Sequence, residues 1–375
     1  MFTTKKIAAV SVINDLVTDS RVNKTCNVLL EAGYNVILIG RKLPGSLNLP
    51  VWPFKAIRMR LLFKRGPLFY FFFNVRLFFR LLFTKCDLLF ANDLDTLLAN
   101  YLVSRIRKIP LVYDSHELFC DVPELLSSPF KRRIWLRVES KIIPRLTNCI
   151  TVNQSIAKIY EEKYGVKFNV VRNISAQIEN FNPPSKRELK LPLDKKIILL
   201  QGAGINIDRG AEELVDAMQF VENAVLIIIG GGDVWKVLEE KVKAHNFEGK
   251  VILIKKIPKK ELLNYTYHAD LGISIDKNTN PNYYNSLPNK IFDYIHSGVP
   301  ILASRLPEIE NIINKYNIGW FIDSHEPIHI ADTINNLIAS CQLQNYKQNT
   351  SLAAKELNWP KEKQSYLEFI KNIKS

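Results

Sequence analysis

Two α/β domains, each built on a parallel sheet with helices on both faces, are what this sequence predicts. Three observations carry that expectation. Strand-like runs alternate with helical patterns along the whole chain, and the runs are continuously apolar, as in strands buried on both faces. The alternation halts at a polar, proline-bearing stretch near residue 182 and then restarts. At 375 residues the chain exceeds one typical core, so the restart reads as a second domain.

Residues 7–13, Ile-Ala-Ala-Val-Ser-Val-Ile, form the first strand. Asp19 fits an N-cap, with Val22, Cys26, Leu29 and Leu30 turned inward and Gly33 as the stop. Residues 36–39 and 58–62 are the second and third strands. Residues 88–91 and 111–113 follow, separated by a helical pattern over 94–106, and 149–152 with 169–171 close this half. After Asn182-Pro183-Pro184-Ser185-Lys186-Arg187 come a strand at 196–200, a helix at 210–220, and strands at 225–229, 251–254, 271–275 and 301–303. Two such sheets place a ligand cleft between them, at the carboxyl ends of the strands.

Just before that last strand, residues 285–300 read as a tight loop, a short helix with Pro288 in its first turn, and a stop at Gly298-Val299-Pro300. Lys290, Asp293 and Tyr294 then share one face. A cation and an acid beside a helix N-terminus fit a nucleotide, with phosphates on the amides and Lys290 and ribose hydroxyls on Asp293. The alternative is a solvated Lys290–Asp293 ion pair on an ordinary connection.

A hydrophobic content of 47% with 23% charged residues describes a packed globular chain rather than a disordered one. Five scattered cysteines without a Cys-x-x-Cys pair point to reduced thiols in a reducing compartment, and residues 1–6 fit no signal peptide. The net charge of +14 is unevenly placed: residues 42–86 hold no acid but include Lys55, Arg58, Arg60, Lys64, Arg65, Arg76, Arg80 and Lys85. A second cluster, Lys131, Arg132, Arg133, Arg137, Lys141 and Arg145, is relieved only by Glu139. Anionic partners follow. No nucleic-acid motif accompanies these patches, which leaves them to lipid and phosphate. Residues 68–83 are too aromatic for a routine surface helix, and too short and arginine-bearing to span a bilayer. They read as a helix lying in a membrane interface, within a membrane-facing stretch at 64–85; the alternative is a buried helix whose arginines reach back to solvent.

Polar groups also stand at strand ends. After residues 111–113 come Asp114-Ser115-His116-Glu117, where His116 would donate to a sugar hydroxyl with Glu117 or Asp114 orienting it, or where Asp114-Ser115 merely cap a helix. Gly202-Ala203-Gly204 followed by Arg209-Gly210 has the form of a phosphate-binding turn or of an ordinary βα turn, and Gly230-Gly231-Gly232 admits a ligand or a neighbouring backbone closely. The fingerprints of nicotinamide dinucleotide, Walker, serine-hydrolase and zinc-protease sites are missing, as is any cysteine–histidine metal spacing.

Tyr113-Asp114-Ser115-His116-Glu117-Leu118, Val171-Arg172-Asn173, Gln201-Gly202 with Arg209-Gly210, and Ser286-Leu287-Pro288-Asn289-Lys290 through Gly298-Val299-Pro300 together resemble glycosyltransferase family 4. The resemblance covers nearly the whole chain in matching order. It implies a GT-B fold: two Rossmann-like domains at 1–182 (acceptor side) and 183–355 (donor side), with a last helix, residues 356–375, crossing back to the first. It implies a retaining transferase that takes a sugar from a nucleotide-sugar donor.

By the same resemblance, His116 contacts the donor hexose, and Arg209 matches the second of two basic residues on the diphosphate, where Ala203 replaces the first. Lys290 is the candidate replacement. Asp293 stands at the second position of the family's Glu-x7-Glu pair and accepts the ribose; the first is Asn285, a departure at a residue that in the family lies near the donor sugar. Gly202, Gly204, Gly231, Ser286, Leu287 and Asn289 complete the donor site, with Asp114, Glu117 and Asn173 on the first-domain side.

The expected activity is transfer to a lipid-linked or surface-glycan acceptor at the cytosolic membrane face, with no cofactor and no metal. The alternatives are a nucleotide-sugar 2-epimerase on the same scaffold and a catalytically silent, membrane-associated donor-binding subunit.

Overall fold

The computed structural model describes residues 5–43, 45–63, 65–178 and 181–373. The expectations placed on residues 1–4 and on Lys64 lie outside these. The chain divides into two compact units, the first holding Met1–Asn173, Asn280–Asn282 and Glu362–Ser375, the second Ile174–Thr279 and Tyr283–Lys361.

The first unit contains strands β1 (Ile7–Ser11), β2 (Asn35–Arg41), β3 (Lys55–Met59), β4 (Leu88–Asn92), β5 (Leu111–Ser115), β6 (Asn148–Thr151) and β7 (Asn169–Val170). Its helices are α1 (Ser20–Glu31), α2 (Pro67–Leu82), α3 (Leu94–Arg107), α4 (Pro123–Leu126), α5 (Pro129–Ile142) and α6 (Gln154–Tyr164). The strands form one parallel sheet in the order β3-β2-β1-β4-β5-β6-β7. The order reverses between β1 and β4, the place where open α/β sheets bind ligands beyond the strands' carboxyl ends.

Asp19 caps α1 by accepting the Val22 N–H at 3.1 Å, and Gly33 takes φ +94° beyond the helix end. Val22, Cys26 and Leu29 are buried as expected, whereas Leu30 is half-buried. The third strand lies at Lys55–Met59, three residues earlier than expected. The Leu61-Leu62 pair that suggested the later bounds lies beyond the end of the strand, and Leu62 is 90% exposed.

Helix α2 resolves the two readings of the aromatic segment into two faces. Phe69, Phe73, Leu77 and Leu81, each four residues apart, are buried in the core with Leu89, Ala91, Leu97 and Val103. Leu68, Phe71, Phe72, Val75 and Phe79 are exposed, beside Arg76 and Arg80. Among the described residues no helix is long and apolar enough to cross a membrane.

The second unit holds β8 (Lys196–Gly202), β9 (Ala224–Gly230), β10 (Val251–Lys255), β11 (Leu271–Ser274), β12 (Ile301–Ala303) and β13 (Gly319–Phe321), a parallel sheet in the order β10-β9-β8-β11-β12-β13. Its reversal falls between β8 and β11. The helices continue as α7 (Ala211–Ala217), α8 (Trp235–Ala244), α9 (Lys259–His268), α10 (Pro281–Tyr284), α11 (Asn289–His296), α12 (Pro307–Tyr316), α13 (Pro327–Ala339), α14 (Gln342–Glu356) and α15 (Trp359–Lys371).

Pro288 is the N-cap of α11 rather than part of its first turn: its ψ of 141° is extended, and the helix begins at Asn289. Tyr294 fixes this helix on the sheet. Its hydroxyl donates toward Leu199 O at 2.9 Å and Ile273 O at 3.2 Å, and a Cβ at Gly272 would stand 2.6 Å from its ring. Only glycine leaves that ring room. The last helix packs in the first unit, as the resemblance implied. Tyr366 is buried with its hydroxyl 2.9 Å from Thr25 Oγ1, and Glu362 accepts the Arg172 backbone N–H at 2.9 Å and Nε at 2.8 Å.

Candidate active site

In the second unit the sheet reversal gathers a charged cluster. Arg209 lies on the loop after β8 and Asp276 just beyond β11, while Lys290 sits in the first turn of α11. Arg209 forms an ion pair with Asp276, and its guanidinium lies 3.9 Å from the centroid of the Tyr283 ring. Lys290 Nζ lies 3.7 Å from Asp276 Oδ1. Asp276 is fully buried, so both cations are held by a carboxylate with no solvent of its own. Burial pushes the Lys290 ammonium below its ordinary value; Asp276 opposes this, and the Arg209 charge adds to it. Arg209 Nε and Asp276 Oδ1 are buried without a hydrogen bond.

Asp293 belongs to a second group at the same helix. Its Oδ2 accepts Gln201 Nε2 at 3.0 Å and forms an ion pair with Lys259, while Thr266 Oγ1 fixes Gln201 by donating to Oε1 at 2.7 Å. Asp293 Oδ1 is buried and carries no hydrogen bond. The solvated Lys290–Asp293 pair is thus not formed: each takes a different partner, from a different strand or helix. Asn285 is 8% exposed in the segment before α11, where Ser286 Oγ donates to Tyr283 O at 2.9 Å; Leu287 packs against the core and Asn289 is exposed.

The glycines sort by what approaches them. Ile205 N donates to Gly231 O at 2.8 Å, so the loops after β8 and β9 are tied together near Gly202 and Gly204. A Cβ on Gly230 or Gly232 would run into the backbone of Gly202 or Ile205, whereas Gly231 faces open space. Backbone contact therefore explains Gly230 and Gly232.

The first unit has its own cluster at the carboxyl ends of β4 and β5. Asp93 follows β4 with φ +58°, a conformation unusual for any residue but glycine. It caps nothing in α3. Its Oδ1 accepts the His116 backbone N–H at 2.8 Å and its Oδ2 lies 3.0 Å from His116 Nδ1. His116 Nε2 is 3.4 Å from Asp114 Oδ2 and has no hydrogen bond. Asp114 is buried in β5 and caps no helix; it takes Arg21 Nε at 2.9 Å and Nη2 at 2.6 Å, and Arg21 Nη1 donates to Val171 O.

Burial disfavours the imidazolium of His116, but Asp93 and then Asp114 outweigh it and hold the ring's pKa well above its ordinary value. Burial likewise works against the Asp114 carboxylate, and Arg21 and then His116 bring its pKa below the usual range. Glu117 turns the other way: burial, and then Asp93, push its pKa up to about 7 against a hydrogen bond from Asn282 Nδ2 at 3.1 Å and the charge of His116. Asn173 Oδ1 accepts Lys24 Nζ at 3.0 Å. The groups that hold the His116 ring are therefore Asp93 and Asp114, while the hydrogen bond at Glu117 comes from Asn282.

The partners that build these clusters, Asp93 and Arg21 in the first unit and Asp276, Tyr283 and Lys259 in the second, were not singled out from sequence, and Gln201 entered only as part of a resemblance motif. Asp93 alone left a signal, as an acid directly after a strand, and it resembled an ordinary helix cap.

The comparisons with known proteins divide where the fold divides. Residues 20–175 match the model described as Glycosyltransferase Family 4, and residues 182–355 match Glycosyl transferases group 1. The chain carries both domains of a GT-B glycosyltransferase. A chitobiosyldiphosphodolichol beta-mannosyltransferase of Candida albicans is 26% identical over 56% of the chain and 50% of that protein. A D-inositol 3-phosphate glycosyltransferase of Xylanimonas cellulosilytica is 21% identical over 64% of the chain and 61% of its own length. The matches thus span about half to three-fifths of these relatives. Among solved structures, the GT-B domains resemble sucrose-phosphate synthase of Thermosynechococcus elongatus, with a TM-score of 0.78 and 18% identity over 98% of both chains. Anabaena HepE in complex with UDP and glucose aligns with a TM-score of 0.74 and 16% identity, over 98% of this chain and 100% of that one.

Proposed function

We propose that the chain is a retaining glycosyltransferase that moves a sugar from a nucleotide-sugar donor to a lipid-linked or surface-glycan acceptor. It works from the cytosolic face of a membrane, with the exposed side of α2 against the lipid. The observation that carries the donor half is the pairing of Arg209 and Lys290 on one buried carboxylate, at the sheet reversal of the second unit. When a glycosidic bond to a nucleoside diphosphate breaks, negative charge builds on the departing phosphates. Two fixed cations and the first amides of α11 neutralise it without reorganising. The sugar passes through an oxocarbenium-like state, and the acceptor hydroxyl attacks from the face the diphosphate leaves. The open Oδ1 of Asp293 is the ribose acceptor, while Gln201 and Lys259 hold Oδ2. His116, held through Nδ1 by Asp93, is the residue the resemblance assigns to the donor hexose. The relatives' names support the substrate classes: one contains a diphosphodolichol-linked acceptor, and HepE is described with UDP and glucose.

A thermal-shift screen against nucleotide sugars and nucleoside diphosphates tests this, because a ligand of the folded state raises its apparent stability. The expected result is a clear shift with one base and one sugar. No shift with any of them, at concentrations that saturate comparable enzymes, would count against the donor site. A donor-binding subunit without turnover is favoured by Asn285 alone; a donor that binds and is never consumed, with any acceptor tried, would select that reading.

A further inference from the structure

The first unit holds a cavity of about 260 Å³ that neither cluster uses. It lies at the carboxyl ends of β2 and β3, beside the start of α2. Among the described residues three cations line it, Arg41, Lys42 and Arg60, its apolar walls include Leu61, Phe63 and Phe69, and no carboxylate lines it. Arg41 ends β2, and its guanidinium lies 4.8 Å from the centroid of the Phe69 ring. Arg41 Nε is buried and has no hydrogen bond, a donor whose desolvation is uncompensated. Arg60 is exposed, and its backbone carbonyl is held by Arg76 Nη1 at 2.6 Å, which brings a fourth cation to the rim.

Three lining cations with no acid call for an anion of several oxygens, and guanidinium geometry favours phosphate. The volume is below the roughly 300–1,000 Å³ of sites that enclose a whole drug-sized ligand, so it suits a head group. Its apolar wall continues outward: the Phe63 ring stacks on Phe72 at 5.1 Å, and Phe72 lies on the exposed side of α2 with Leu68, Phe71 and Phe79.

We propose that this cavity seats a phosphate or diphosphate group carried on an apolar chain, with the chain running out over Phe63 and Phe72. It would be the head of a lipid-linked acceptor, a purpose that rests on the transferase reading, although the binding chemistry does not.

The test is calorimetric titration of the full chain with geranyl diphosphate, with inorganic pyrophosphate, and separately with nucleoside diphosphates. Geranyl diphosphate should bind more tightly than pyrophosphate. Arg60→Gln, at an exposed side chain, should weaken both by about tenfold, the scale of one lost charge-assisted hydrogen bond. Arg41→Gln should do the same or more, and Phe63→Ser should weaken geranyl diphosphate alone. Unchanged geranyl diphosphate binding in both arginine variants would overturn the site. Equal affinities for the two probes, indifferent to Phe63→Ser, would overturn the apolar half and leave a free-phosphate site. A chain that binds a nucleotide but not geranyl diphosphate would refute this assignment and leave the donor reading standing. The reverse pattern would support the cavity and count against the donor reading.

Discussion

Lys290 does not reach Asp293, three residues along its own helix; its ammonium lies 3.7 Å from the buried carboxylate of Asp276, beyond a different strand. The acid it uses also holds Arg209. One carboxylate thus sets the spacing of two cations that would otherwise repel in a desolvated place, and it opposes the burial that pushes the Lys290 pKa down. Asp276→Asn should therefore do more than loosen the loop. Without the carboxylate, Lys290 loses the influence that opposes its downward shift, and its ammonium deprotonates at lower pH. Nucleoside diphosphate affinity in the variant should fall roughly tenfold at neutral pH, a loss of about 1.4 kcal/mol, and fall further as pH rises. Adding Lys290→Met should abolish that pH dependence. A titration series of affinity against pH checks both, and a variant as insensitive to pH as the parent would show that Asp276 does not govern Lys290.

The Asp293 group yields a second expectation. Asp293→Ala would strand Lys259 and Gln201 along with the ribose acceptor, so loss of binding in that variant has two explanations. Asp293→Asn is cleaner, since it keeps the shape and removes the charge. It should weaken nucleotide binding by about tenfold, while the corresponding 2′,3′-dideoxynucleotide binds parent and variant alike, because a hydrogen bond to a charged group is worth about 1.5–3 kcal/mol. Equal loss for both ligands would mean the ribose hydroxyls are not what Asp293 holds.

The fold was legible because buried parallel strands leave continuous apolar runs, as at residues 197–200 and 225–229, and because glycines mark where they end. His116 was legible from its place directly after a strand, and Arg209 from the glycine turn before it and from the resemblance. Their partners were not. Asp93 stands 23 residues from His116, Asp276 is 67 from Arg209, Lys259 is 34 from Asp293, and Gln201 is 92 from Asp293. Those pairings depend on strand order across the sheet, which local spacing does not encode. For the same reason the Lys290–Asp293 pair looked natural in sequence: three residues along a helix is visible, and a carboxylate on the neighbouring strand end is not. The bounds of β3 slipped because Leu61-Leu62 is more apolar than the true strand, whose five residues include Lys55 and Arg58.

Glu117 provides a prediction in pH. Its folded pKa, about 7, is raised above the ordinary value of 4.5, so between those values the folded chain keeps a proton that the unfolded chain has released. Stability from this group is greatest at low pH, falls as pH rises through the window, and is fully lost above about 7. The loss is roughly 3 kcal/mol, at 1.36 kcal/mol per pH unit. Glu117→Gln retains a carbonyl for the Asn282 N–H and cannot ionise, so its stability should be flatter from pH 5 to 7 and exceed the parent's at pH 8. Denaturant titrations at these three values decide it; matching slopes would remove Glu117 as the source.

The two faces of α2 make opposite predictions. Phe73 is fully buried among the sheet and α3, so Phe73→Ala should cost about 3–5 kcal/mol and lower the melting temperature by many degrees. Phe71, Phe72 and Phe79 are 60%, 40% and 53% exposed, and replacing each of the three with serine should cost far less than Phe73→Ala, since about half of each ring already lies in solvent. The triple variant should instead lose sedimentation with vesicles rich in anionic lipid. Arg76→Gln with Arg80→Gln should weaken binding in a salt-dependent way, by about 1 kcal/mol per charge near the surface. Neutral vesicles should bind the parent less well than anionic ones, because the basic residues of this segment are unrelieved by any acid between residues 42 and 86. Sedimentation that survives the triple replacement would show that the outer face of α2 is not the anchor. Unfolding of that variant would mean instead that these rings serve the core from outside, the role the sequence left open for the whole helix.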